Sequence, residues 1–221
     1  HAAKAKVLTY NNVHRYQKSI AAPWLIYKIF GQWDELLGKT PSHNGMPYLD
    51  GIWAYTQGSA LLAKGDLNSA KSQLAKLQTI ANAPNADEYR AGPTPVSSII
   101  KLAAFGLDGE IKQYEGDLDA AIIAFEKAVA LEDLNNYTEP PDWAQPMRNY
   151  LGAALIEAGR YSEAETVYRQ DLKWNHKNGW SLFGLHQALL AQGKTSAAEE
   201  TEKQFEIAWQ YADVELTRSR L

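Results

Sequence analysis

Residues 115–133 read "EGDLDAAIIAFEKAVALED" and residues 159–172 read "GRYSEAETVYRQDL". Each has a glycine, an apolar residue two places on, an alanine five on and an aromatic nine on. The same frame fits "KGDLNSAKSQL" at Gly65 and, more loosely, "FGQWDELL" at Gly31 and "QGKTSAAEETE" at Gly193. Successive glycines lie 34, 51, 43 and 34 residues apart. The two longer gaps contain "NAPNADEYRAGPTP" and "LNNYTEPPDWAQP", whose Pro, Asn and Asp mark loops inserted between repeating units.

Each shared position has a physical reason. The glycine ends a helix where the backbone turns left-handed, a conformation cheap only for glycine. Ala70, Ala121, Ala164 and Ala198, five places later, let two helices approach closely. Leu74, Phe125 and Tyr168, nine places later, are of a size to fill the gap between neighbouring units. Gly58, Gly109 and Gly152, seven places before, supply a second small contact. Such contacts are useful only where each helix pair stacks on the next. Ile99, Ile100, Ala103, Ala104, Leu107 and Ile111 recur at helical spacing, so Pro95 to Glu115 is expected to form the longest first helix.

This pattern resembles the tetratricopeptide repeat family, most closely in "LGAALIEAGRYSEAETVYRQDL", and two of the four spacings equal that family's period of about 34 residues. The resemblance implies an all-α fold: a right-handed α-solenoid of stacked antiparallel helix pairs forming one domain over 1–221. The pairs are expected near 5–40, 50–82, 95–131, 144–174 and 178–215. The first unit carries Trp24 and Leu36 where small residues belong, and the last carries His186 and Glu202; both are expected to act as caps. Residues 5 to 30 are expected to be helical with a break at Pro23. The stretch from "EPPDW" to "NGWSLFGL" is also similar to a group of bacterial repeat proteins of no settled activity.

Net charge is −4, from 22 basic and 26 acidic residues, which supplies no basic field for a phosphate backbone. Cysteine is absent, which excludes disulfides, thiolate metal sites and a cysteine nucleophile. No apolar run approaches the roughly 20 residues that span a bilayer. A soluble chain, cytoplasmic or periplasmic, is expected. It begins at His1 rather than Met, so an upstream signal or domain is an open possibility.

In such a solenoid the first helices line a concave face. The expected groove residues are Ile52, Tyr55 and Ser59; Glu110, Gln113 and Tyr114; Asn149, Ala153 and Glu157; and Trp180, Phe183 and Gln187. Rings and amides suit an extended peptide, the rings giving area at low entropy cost and the amides giving hydrogen bonds. The competing reading is packing between repeats and solvated surface. In "YTEPPDWAQPMRNY" the tandem prolines stiffen a loop, Asp142 is placed to cap a helix starting near Trp143, and Tyr137, Trp143 and Arg148 are candidates for a recognition lip. Alternatively Trp143 staples that loop onto the preceding pair. "RAGPTPVSS" is expected to turn the chain and cap the long helix.

Chemical constellations are weak. None of the five histidines forms an H-x-x-x-H or H-E-x-x-H spacing, so no metal and no cofactor is expected. Asp34/Glu35, Glu132/Asp133 and Glu199/Glu200 fall on helix surfaces as solvated charge. Ser97 and Ser98 lack elbow glycines. Arg148 and Asn149 fall on one helix, which does not match the carboxylate clamp of chaperone-binding repeat proteins, whose basic and Asn side chains lie on successive first helices. The expected role is therefore a non-catalytic scaffold for a protein or peptide. The alternatives are a small-molecule- or metal-binding or enzymatic module under the 137–149 loop, using Asp142, Glu139 or His186, and a plain structural spacer.

Overall fold

The computed structural model describes residues 14–40, 45–135 and 138–220. They form ten α-helices: α1 His14–Ile29, α2 Trp33–Leu37, α3 Pro47–Ala63, α4 Leu67–Ala81, α5 Val96–Tyr114, α6 Leu118–Asp133, α7 Met147–Glu157, α8 Tyr161–Trp174, α9 Gly179–Ala191 and α10 Thr195–Trp209. The principal contacts join each helix to its neighbour or next neighbour in the chain, so the helices pack in sequence order. At 19 residues, α5 is the longest of them.

The five repeat glycines join α1 to α2, α3 to α4, α5 to α6, α7 to α8 and α9 to α10, and all have positive φ, from 63° to 84°. The turn at Gly65 shows the ending. Its N–H donates to the Leu62 carbonyl at 3.0 Å and the Asp66 N–H to the Leu61 carbonyl at 2.9 Å, satisfying carbonyls that the helix end leaves open. Asp66 and Asp117 then restart the chain as N-caps, their carboxylates accepting from the Ser69 and Ala120 N–H groups at 3.0 Å.

The alanines Ala70, Ala121, Ala164 and Ala198 are each fully buried. Phe125 lies against Gly109, where an added Cβ would come within 2.5 Å of its ring. Tyr168 is held between two glycines: an added Cβ would stand 2.3 Å from its ring at Gly152 on α7 and 2.2 Å at Gly184 on α9. His186, at the position of the small residue in the last unit, packs on the last helix, its ring 3.1 Å from the Ala198 carbonyl.

Three expectations are corrected. Pro23 lies inside an unbroken α1. The helix carries it because Lys18 is tied to Asp142 and Lys28 to Glu110 and Tyr150, holding both sides of the proline in place. The last unit is shorter than 178–215, since α10 stops at Trp209 and a turn and an irregular segment follow. The loop before α5 contains a two-stranded antiparallel hairpin, Arg90–Ala91 with Thr94–Pro95, turning at Gly92 (φ +88°). It does not cap α5 through a side chain; the Tyr89 carbonyl accepts the Val96 N–H at 2.9 Å. Residues 5–13 and Tyr137 lie outside the described residues. No helix among the described residues is long and apolar enough to cross a membrane.

Candidate functional site

The odd-numbered helices α3, α5, α7 and α9 share one face, and its first layer is a buried cation. Lys28, 4% exposed, projects from α1 into this face. Its Nζ stands 3.0 Å from Glu110 Oε1 and donates to the Tyr150 hydroxyl at 2.7 Å. It also lies 4.7 Å from the ring centroids of both Tyr55 and Tyr150. Burial alone would lower the Lys28 pKa, but the Glu110 charge and the Tyr150 hydroxyl outweigh it and hold the ammonium above its ordinary value. The Tyr150 hydroxyl in turn donates a hydrogen bond to Gln145 Oε1 at 2.8 Å.

Beside this cluster the segment after α10, without regular structure and bent at 217–219, runs back along the same face. Trp209 Nε1 donates to the Val214 carbonyl at 2.7 Å, fixing the segment's start. Leu216 is buried. Gln187 reaches the Thr217 carbonyl at 3.4 Å. Ser219, 1% exposed, donates to the Asn149 carbonyl at 2.7 Å, and with that proton committed its Oγ accepts from the Tyr168 hydroxyl at 2.6 Å. Burial raises the Tyr168 pKa, so this phenol keeps the proton it donates. Arg220 donates to Gln113 Oε1 at 2.6 Å and lies 5.2 Å from the Tyr150 ring centroid. The Gln113 amide nitrogen is bonded to Glu157, which turns its carbonyl toward the arginine.

A cavity of about 410 Å³ remains next to this contact. It is lined by Ser59, Glu110, Gln113, Tyr114 and Glu157 on the helices, with Arg218 and Arg220 entering from the segment. Tyr114 is 53% exposed at its rim. The helices thus contribute carboxylates and amides, and the cations come from α1 and from residues 218–220.

The ten expected contact residues divide sharply. Gln113 and Tyr114 line this cavity and Gln187 contacts the segment at Thr217. Asn149 contributes its backbone carbonyl, while its fully buried side chain donates to Ser181 Oγ at 2.7 Å. Tyr55 lies beneath the face, 2% exposed, supporting Lys28 and packing on Trp143 with ring centroids 5.1 Å apart. Trp143, 7% exposed, staples its loop to α3. Asp142 does not cap α7, which starts after Pro146; it binds Lys18 and Thr94. Arg148 is held bidentate by Asp133, at 2.7 Å to each oxygen. Trp180 meets Trp209 edge-on at 5.2 Å and Phe183 meets Phe205 at 5.4 Å, so both pack between α9 and α10.

Sequence reasoning missed Lys28, Tyr150, Tyr168, Ser219 and Arg220. A signal existed for the first: a lone charge within the apolar run "PWLIYKIF". A second cavity, about 680 Å³, lies under the 138–140 stretch between Lys18, Gly92 and Pro140. Of the groups expected to do chemistry there, Glu139 lines the cavity, while Asp142 is committed to Lys18 and Thr94. Among the described residues no group of three or more His, Asp or Glu side chains is placed to hold a metal. No family model, curated protein or solved structure matches the chain.

Proposed function

We propose that the chain is a non-catalytic scaffold of the tetratricopeptide type, a right-handed stack of antiparallel helix pairs that binds an extended protein or peptide segment on the face of its odd-numbered helices. One observation carries this reading: that face already receives a segment without regular structure, residues 214–220, through Gln187, the Asn149 carbonyl, Tyr168 and Gln113. Main-chain acceptors and amide side chains hold it, and ring faces give contact area, a combination that suits an unfolded segment. The glycine-ended helices and the sequence-ordered packing support the stack.

The test is a displayed library of random peptides panned against the full chain, with calorimetry on the enriched sequences. Peptides that bind the unsubstituted protein and lose at least tenfold in affinity to Gln113→Ala/Gln187→Ala would support the reading. A library that yields no enriched peptide, or peptides indifferent to both substitutions, would overturn it.

A further inference from the structure

We infer that the face shared by α5, α7 and α9 is a receptor for an arginine-bearing peptide with a small hydroxyl residue directly before the arginine, and that Ser219–Arg220 occupy this receptor in cis. The inference rests on the peptide-binding reading and names the ligand chemistry.

The hydroxyl seat is a matched pair. The Asn149 carbonyl accepts and the Tyr168 phenol donates, so a group that gives one proton and takes another satisfies both. Tyr168 cannot swing away, because its ring is enclosed by Gly152 and Gly184. An apolar residue in this seat would leave the buried Tyr168 hydroxyl without its acceptor, a loss that discriminates against it.

The arginine seat is built for a planar cation. Gln113 Oε1 accepts from one edge of the guanidinium, the Tyr150 ring lies 5.2 Å away, and the Glu110 and Glu157 carboxylates line the adjoining cavity. A guanidinium brings five N–H donors in a fixed planar fork, against the three of an ammonium, and so can serve Gln113 with one edge and turn the other toward these carboxylates.

The cis occupant fits this site incompletely. Arg220 Nε is buried without a hydrogen-bond partner. Arg218 makes no hydrogen bond or ion pair with the described residues, although it enters the same cavity as two carboxylates. The Gln187 contact is long at 3.4 Å, and about 410 Å³ next to the arginines is unfilled. A peptide in trans that places its cation deeper gains what the cis strand forgoes. Its apparent affinity is reduced by the fraction of molecules in which the cis strand is seated.

The experiment uses fluorescence anisotropy of a labelled peptide with the sequence of residues 213–221. It is titrated with the full chain and with the full-length variant Ser219→Glu/Arg220→Glu, which sets carboxylates against the Asn149 carbonyl and the Glu157 region. The variant should bind the peptide at least tenfold more tightly than the unsubstituted chain. Peptides carrying Arg220→Gln or Ser219→Val should each lose at least tenfold. If the variant loses its helical circular dichroism, full-length Arg220→Gln takes its place with the same readings. Absence of peptide binding by a folded variant overturns the inference, as does equal binding of the three peptides. Failure to bind peptide combined with dimers in light scattering of the unsubstituted chain also overturns it, in favour of strand exchange with a second copy. Library peptides that lack arginine yet compete on this face sink the arginine receptor and leave peptide binding standing; a library with no binders removes both.

Discussion

Gly152→Ala tests the packing on which the site depends. At an open helical position alanine is favoured over glycine by about 1 kcal/mol, so an unobstructed α7 would be stabilised. Here the new methyl would stand 2.3 Å from the Tyr168 ring, and that ring cannot retreat because the Gly184 position lies as close on its far side. Overpacking of this kind costs up to about 3 kcal/mol. Displacing the ring also strains the Tyr168–Ser219 hydrogen bond, worth about 1 kcal/mol. Setting the helix gain against these two losses leaves a destabilisation of about 3 kcal/mol, or a fall of roughly 6–12 °C in Tm for a chain of this size. Urea denaturation followed by circular dichroism measures it. Gly152→Ala combined with Tyr168→Leu should be less destabilised than the two single changes together, since the shorter side chain makes room for the methyl. A Gly152→Ala protein as stable as the parent, or more stable, would refute the account of Tyr168 as a wedge between α7 and α9.

Three further outcomes are expected. Lys28→Met leaves Glu110 buried without its cation and should cost about 3–5 kcal/mol in urea denaturation at pH 7; because the folded-state pKa of Lys28 is raised, its contribution is complete below the unfolded value and fades as pH rises through the folded one, so the two proteins should converge at strongly alkaline pH. Glu132 is raised from its ordinary 4.5 to about 7, by burial first and by the nearby Asp171 and Asp133 charges, against the Met147 N–H and Arg148. The folded carboxyl therefore holds its proton more tightly than the unfolded one, and stability present below about pH 4.5 is lost as pH rises to about 7. The interval corresponds to roughly 3 kcal/mol at most, lessened because an edge of the side chain reaches solvent, so Glu132→Gln should flatten the stability profile between these pH values in a series of thermal melts. Asp171, 1% exposed, accepts from Asn175, Asn178 and Ser181 at 2.6–2.8 Å, and Asp171→Ala should cost about 3 kcal/mol by stranding these donors between α8 and α9, read as a lowered urea midpoint at unchanged m-value.

How much of this was legible in the sequence depends on whether a feature is local. The helix ends were, because a glycine that must turn left-handed and an aspartate that caps the next helix act within five residues of each other, as at Gly65–Asp66 and Gly116–Asp117. The buried alanines were, because one small side chain per unit is needed wherever two helices touch. The long-range polar contacts were not. Asp142 has a good capping position in the sequence, but Lys18, 124 residues away, and Thr94 provide charged and hydroxyl partners in the fold. Arg148 looks like a free recognition group until Asp133, fifteen residues earlier, is found beside it.

The site itself was half legible for the same reason. Gln113, Tyr114 and Gln187 were found because helical periodicity dictates which side of each odd helix they share. Their ligand-like occupant was not, because "ADVELTRSR" has no period that says where an irregular segment will lie. Yet its charges make sense once the face is known. The odd helices contribute Glu110 and Glu157, and Arg218 and Arg220 enter the same cavity from a segment bent at 217–219. The intervening Ser219 is taken up in the seat between the Asn149 carbonyl and Tyr168. Tyr168 therefore has two tasks: it fills the space that Gly152 and Gly184 leave, and it presents the hydroxyl that reads the strand. A change that loosens the wedge should loosen the strand as well, so Gly152→Ala is expected to raise the affinity for peptide in trans only if the hydroxyl seat survives, and to lower it if the seat and the wedge are one structure. The shared ring argues for the second outcome, and anisotropy with the 213–221 peptide decides between them.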